Sequence, residues 1–261
     1  MGHHGPMLQL RSSSAVAIVD PAAGGRLASL AVEGRELLVG QDSDTMRWGS
    51  YPMVPFAGRI RGGRFSFEDI EYALPANLGP HAIHGYGYTS RWNVVDDHTI
   101  GWAFSSPWPF AGHARQRFEL TERALAMVMT ATAHERQPVM LGWHPWFRRD
   151  IGSGAGIELS FGPASMYELD DAAIPTGRLV APPDGPWDNC FTALERQPTL
   201  RWGDALEVEL RSSADHWVVF TEPDHAICVE PQTEAPDAVN RAPRVLEAGE
   251  SLQISFEIAW A

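Results

Sequence analysis

Leu252-Gln253-Ile254-Ser255-Phe256-Glu257-Ile258 alternates apolar and polar residues over seven positions, and Leu206-Glu207-Val208-Glu209-Leu210 repeats the pattern over five. Successive side chains of an extended strand point to opposite faces, so a strict period of two marks a strand with one face buried. Phe118-Glu119-Leu120 and Ile157-Glu158-Leu159-Ser160-Phe161 follow the same rule. Strands of this kind belong to antiparallel sheets. Around them, 20 prolines and 24 glycines punctuate a chain of 261 residues, and no stretch carries a sustained helical stripe between caps. The pattern predicts a hairpin over 118–131, turning at Thr121-Glu122-Arg123, and little helix. Many short strands separated by turns predict an all-β fold, a large antiparallel β-sandwich.

A chain of this length with 44% hydrophobic residues can bury a sizeable core, and we expect one domain over 1–261, with residues 1–6 (opening Met1-Gly2-His3-His4-Gly5) set aside from it. Its 33 acidic residues outnumber 20 basic ones, for a net charge of -13 that repels polyanions. Nucleic acid and anionic membrane surfaces are therefore excluded as expected partners, and a small neutral ligand suits the surface better. No apolar run approaches the roughly 20 residues needed to span a bilayer, and the N-terminus lacks the basic-then-apolar layout of a signal peptide. With only Cys190 and Cys228, too few for a disulfide framework or a Cys-based zinc site, a cytoplasmic protein with reduced thiols is the expectation. No phosphate-cradling glycine loop or Gly-x-Ser-x-Gly elbow is present, which removes nucleotide cofactors and a serine hydrolase from consideration. Gly152-Ser153-Gly154-Ala155-Gly156 reads as a flexible loop between strands.

Three islands carry the chemistry. His81 and His84 lie three apart, which on a strand sends them to opposite faces and argues against a shared metal. His81 reads as a satisfied, partly buried histidine, whereas Gly85 beside His84 permits close approach of backbone or ligand. In Gly142-Trp143-His144-Pro145-Trp146-Phe147, an imidazole emerges from aromatic surroundings suited to stacking on the C–H face of a sugar, and Pro145 interrupts regular pairing. Trp143, adjacent to His144, is the expected stacking residue. Glu230 ends the apolar run Ala226-Ile227-Cys228-Val229, where it is either a surface glutamate at a strand end, the default on these residues alone, or a buried carboxylate that must be paired, hydrogen-bonded or functional. Asp237-Ala238-Val239-Asn240-Arg241 reads as a polar loop closing a pocket.

These islands join into a resemblance. Tyr51-Pro52-Met53-Val54-Pro55-Phe56-Ala57-Gly58-Arg59-Ile60-Arg61-Gly62-Gly63-Arg64-Phe65, His84-Gly85 with Trp92 downstream, the 142–147 island, Ile174-Pro175-Thr176-Gly177, Asp188-Asn189-Cys190-Phe191, and Glu230-Pro231-Gln232-Thr233 with Pro236-Asp237-Ala238 resemble the aldose 1-epimerase (galactose mutarotase) family, in order and over nearly the whole chain. The resemblance implies the family's supersandwich of antiparallel strands. It also implies Glu230 as the base that takes the anomeric hydroxyl proton, His144 as the acid that protonates the ring oxygen, and His84 as a second active-site histidine. Arg59 and Asp188 match the residues that hold sugar hydroxyls, and no metal or cofactor is implied. Glu and His, with ordinary pKa values of about 4.3 and 6.5, suit a base and an acid acting on neighbouring oxygens.

Two departures bear on the substrate. Gly58 stands where many members carry Asn before the arginine, which removes a polar side chain from the pocket and leaves the sugar open. Tyr86, Gly87 and Tyr88 follow His-Gly where hexose-6-phosphate mutarotases carry an arginine, which favours an unphosphorylated aldose, although Arg61, Arg64, Arg91, Arg148 and Arg149 could supply a phosphate contact from elsewhere. The rival readings are a mutarotase of a hexose phosphate, a non-catalytic carbohydrate-binding or sensing protein with the same cleft, and a metal-dependent isomerase, for which no close-set ligand cluster is visible.

Overall fold

The computed structural model describes residues 7–261, so the opening segment set aside above lies outside the described residues. Among the described residues there is no α-helix, only 3-10 turns at Arg61–Gly63, Gly87–Thr89 and Ala238–Asn240. Seventeen strands join in one hydrogen-bonded sheet that folds into two layers, with three two-stranded ribbons beside it. The alternating segments are strands: Leu206–Ser212, Ser251–Trp260 and Glu158–Leu169. The expected hairpin pairs Gly112–Leu120 with Ala124–Ala133 and turns at 121–123. The glycine-rich 152–156 segment is the loop between Gly142–Arg148 and Glu158–Leu169.

One layer runs through Ser50–Met53, Gly142–Arg148, Ala226–Gln232 and His216–Phe220, each antiparallel to the next. The other runs from Gly112–Leu120 through Ala124–Ala133 and Ser251–Trp260 to Leu206–Ser212. The 15-residue strand Asp188–Trp202 links them, because Asp188 to Thr192 pair with His216–Phe220 whereas Thr199 to Trp202 pair with Leu206–Ser212. Between the layers lies the sandwich core, to which Trp143, Phe147, Val229, Trp217 and Phe256 contribute.

The central strands differ from the outer ones in being buried on both faces. All seven residues of Ala226–Gln232 are buried, as are Gly142 to Phe147. Odd-numbered residues of these two strands, such as Trp143 and Val229, enter the sandwich core. Even-numbered residues face a second apolar cluster, formed with Phe56, Phe65 and Trp108 from a covering layer of loops and ribbons. Polar side chains on that second face are therefore taken out of water without being lost in the main core, which is the prerequisite for a site.

Arg26 anchors the cover to the sheet. It is 1% exposed, and its Nε, Nη1 and Nη2 donate to the carbonyls of Ala23, Trp48 and Tyr88 at 2.6, 2.9 and 3.2 Å. The guanidinium also lies 4.0 Å over the Trp48 ring. Burial lowers its pKa to about 10, so it stays charged at neutral pH. Replacing Arg26 with Leu strands three carbonyls, each worth about 1–3 kcal/mol when buried without a partner. We expect Arg26→Leu to lose at least about 3 kcal/mol in urea unfolding, against the few tenths typical of an exposed substitution.

Candidate active site

Strand register assembles the site. His144 lies directly opposite Tyr51 on one side. On the other, pairing of Gly142 with Gln232 and of Trp146 with Cys228 sets His144 level with Glu230. Glu230 in turn faces Val218. Directly opposed residues share a face and approach within about 5.5 Å at Cβ, so Tyr51, His144 and Glu230 form one row across three strands. The next row holds Trp146, Cys228, Phe220 and Asp188. Pairing with Ala226–Gln232 skips Trp143, His144 and Pro145, while the same residues pair with Ser50 to Pro52, so the interruption expected at Pro145 falls beside Glu230.

His84 enters from the cover. It adopts φ 64°, a left-handed conformation costing about 1–2 kcal/mol for a residue with a Cβ. Strain of this kind concentrates at functional sites. Gly85 follows at φ 68°, where a Cβ would lie 2.3 Å from the Val54 carbonyl oxygen, so only glycine fits. The His84 amide donates to the Gly58 carbonyl at 3.1 Å, and those of Tyr86 and Gly87 donate to Val54 at 2.9 and 3.0 Å. This clasp holds the His84 ring 5.0 Å from that of His144, edge to face at 88°.

A cavity of about 600 Å³ opens onto Arg59, His84, His144, Asp188 and Glu230. His144 Nε2 is 3.2 Å from Glu230 Oε1, and the two residues are 6% and 1% exposed. Gln232 Nε2 donates to Glu230 Oε2 at 3.4 Å, and Arg59 donates to Asp188 Oδ2 at 3.2 Å. Tyr51 stacks on His144 at 4.8 Å and 25°. The Nδ1 atoms of His84 and His144, the Tyr51 hydroxyl and Trp146 Nε1 are buried with no hydrogen-bond partner among the described residues. Each is a polar atom closed off from solvent without a partner, an unusual concentration around one pair of side chains.

Burial dominates the electrostatics. It raises the Glu230 carboxyl well above 4.5, reinforced by the Asp188 carboxylate and opposed by Arg59. It lowers His144 to about 3, with the Arg26 charge adding to the effect. His84 also falls well below 6.5, through burial and then His144 and Arg59. Burial thus widens the pH range over which the His144–Glu230 pair holds a single proton, and the pair titrates as a unit.

Glu230, His144, His84, Arg59 and Asp188 are thus brought together, and Trp143 is not. Trp143 is fully buried in the sandwich core, where its Nε1 donates to Gln116 Oε1 at 2.9 Å. The reason is the strand period: adjacent residues face opposite ways, so a partner for His144 must be sought at Tyr51, Trp146 and Gln232, all of which line the cavity. His81 is satisfied as expected, its Nδ1 accepting from the Gly62 amide at 3.0 Å. The 237–241 segment is not a polar lid: Ala238 and Val239 are buried in the second cluster, and Asp237 Oδ1 accepts from the Arg61 amide. Gly58 does more than omit a side chain, since at φ 66° its Cβ would lie 2.6 Å from Pro236.

The family model described as aldose 1-epimerase matches residues 6–259. The chain belongs to the aldose 1-epimerase family. The uncharacterized protein YphB of Escherichia coli K12 is 33% identical over 248 residues, covering 80% of this chain and 83% of YphB. Among solved structures, a galactose mutarotase-like protein from Clostridium acetobutylicum superposes with a TM-score of 0.83 at 17% identity, covering 97% of this chain and 94% of that one. The galactose 1-epimerase of Lactobacillus acidophilus gives 0.81 at 13% identity, covering 100% and 96%. At these identities the superpositions establish the galactose mutarotase-like fold.

The two tryptophans of the 142–147 island should separate cleanly in a family assay. Trp143→Phe orphans the Gln116 carbonyl and is expected to cost about 1–3 kcal/mol in urea unfolding while leaving KM for any converted aldose unchanged. Trp146→Ala is expected to raise KM. A raised KM for Trp143→Phe would contradict the facing of the strand.

Proposed function

We propose that the protein is an aldose mutarotase that interconverts the α and β anomers of a free sugar, with the chain acting as one domain in the cytoplasm. The observation that carries this reading is the buried His144–Glu230 contact of 3.2 Å at the floor of a sugar-sized cavity, flanked by the Arg59–Asp188 pair. Both cysteines are free thiols, in keeping with that compartment.

In the proposed reaction the proton that burial leaves on Glu230 first moves across the 3.2 Å contact to His144; Glu230, then a carboxylate, takes the anomeric hydroxyl proton while His144, as imidazolium, protonates the ring oxygen, and the ring opens to the aldehyde. Rotation about the bond to the carbonyl carbon exposes its other face. Closure runs the two transfers backwards, so each proton returns to its donor and the pair ends as it began. Burial serves this chemistry: a carboxylate of raised pKa is a stronger base, and an imidazolium of lowered pKa is a stronger acid. His84, neutral because it is buried, supplies a hydrogen bond to the sugar, and Arg59 with Asp188 holds its hydroxyls.

Charge favours an unphosphorylated substrate. Asp44, Asp188, Glu222 and Asp224 line the cavity together with Glu230. The two arginines that line it are already paired, Arg59 with Asp188 and Arg47 with Asp44 at 3.1 Å. Arg61, Arg64, Arg91, Arg148 and Arg149 are not among the lining residues.

A freshly dissolved pure anomer is expected to equilibrate faster with protein than in buffer, followed by polarimetry, and Glu230→Gln should lower kcat by about 10²- to 10⁴-fold with the fold retained. Saturable sugar binding without acceleration of any aldose would instead favour a carbohydrate sensor. The pH profile offers a second check. The one-proton form of the pair persists between the lowered first and raised second titrations, so kcat/KM should stay level as pH falls through 6.5. Halving near 6.5 would mean that an ordinary histidine controls the rate.

A further inference from the structure

We propose that His144, Cys228 and Glu230 form a site for a soft or borderline divalent cation, of the Zn2+ class, that blocks the acid and base together. A ring nitrogen of His144, Cys228 Sγ and a Glu230 carboxylate oxygen lie within 4.8 Å of one another, and all three residues are buried. The strand register explains the grouping. Cys228 and Glu230 are two residues apart and share a face, and across the ladder they stand opposite Trp146 and level with His144.

The distances suit tetrahedral coordination. With Zn–N and Zn–O of about 2.0–2.1 Å, a tetrahedral N···O edge is about 3.3 Å. The His144–Glu230 contact is 3.2 Å. A thiolate at about 2.3 Å from the metal needs edges of about 3.6 Å, so from separations of up to 4.8 Å Cys228 closes by about 1.2 Å at most. Two ligands alone make a weak site, and the thiol supplies the third. His144 and Glu230 line the cavity and Cys228 does not, so a fourth ligand, water or a sugar oxygen, would reach the cation from their side. Two anionic ligands also neutralise the cation, which offsets the cost of holding charge away from water.

Binding is a ligand exchange without redox chemistry. The cation forms bonds to Sγ, Nε2 and a carboxylate oxygen. The thiol proton and the proton shared by His144 and Glu230 leave to solvent, and metal-bound waters are released. Because the cation occupies the groups assigned above to proton transfer, it would act as a reversible inhibitor rather than a cofactor. That inhibitory consequence rests on the mutarotase reading, whereas the binding itself does not.

Co2+ titration of the full chain, read by absorbance, tests the site directly. Wild type is expected to develop a thiolate-to-cobalt charge-transfer band and tetrahedral d–d bands, which Cys190→Ser retains and Cys228→Ser loses. Zn2+ affinity, from competition with a chromophoric chelator, should fall at least about 100-fold in Cys228→Ser, beyond the upper end of what losing an outer-shell partner costs. Zn2+ should abolish wild-type anomer exchange reversibly on addition of EDTA. Should Cys228→Ser fail to fold, X-ray absorption of Zn2+-loaded wild type decides, with one sulfur and two or more N/O neighbours expected. No sulfur neighbour, or no charge-transfer band, overturns the site. A charge-transfer band without any anomer exchange leaves the site standing and sinks the mutarotase reading alone.

Discussion

The register between Gly142–Arg148 and Ala226–Gln232 is the constraint on which the site depends. It places His144 level with Glu230 on the face of the sheet turned away from the sandwich core. A slip of one residue would exchange the faces, sending His144 into the core and Trp143 into the cavity. The apolar residues on the opposite face hold the register. Trp143, Phe147, Ile227 and Val229 are at most 2% exposed, and fully burying side chains of this size contributes about 1.5–3 kcal/mol each. The sandwich thus fixes the geometry of two polar groups that it does not touch.

That geometry has an electrostatic cost, and the proposed chemistry draws on it. A carboxyl and an imidazole removed from water both favour their neutral forms, so the pair resists carrying two charges. The same desolvation draws the proton affinities of the carboxyl and the imidazole in opposite directions, away from their ordinary values, which is the shift the proposed proton transfers call for. Arg26 contributes from behind, as a buried cation whose charge further disfavours imidazolium at His144 and whose hydrogen bonds tie the cover to the sheet. The strained turn at His84 and Gly85 is tolerated because backbone bonds to Val54 and Gly58 fix it.

Much of this was legible in the sequence, and for physical reasons. Period-two alternation in Leu206–Ser212 and Ser251–Trp260 is a direct record of one buried and one solvent-facing side, so the sheet could be read from it. His144 stands out locally, as an imidazole among aromatic residues beside a proline, whereas Glu230 on its own reads as a strand-end glutamate and gains its place from the family resemblance. Trp143 lies outside the pocket because closeness in sequence is not closeness in space: on a strand the residue two places from His144, Trp146, is the one that shares its face. Cys228 and Tyr51 were hidden more deeply. Their place beside His144 and Glu230 comes from pairing between strands distant in sequence, and no local pattern encodes such a register. Gly58 looks in the sequence like a missing side chain, but at its positive φ a Cβ would meet the Pro236 ring, a constraint visible only once the two segments meet.

The most direct test of the account is the 13C shift of the Glu230 side-chain carboxyl followed against pH, assigned through its disappearance in Glu230→Gln. If the register buries Glu230 against His144 as described, the carboxyl titrates well above the ordinary 4.5. A titration at or below 4.5 would show a solvated carboxylate and contradict the buried one-proton pair on which the proposed chemistry rests.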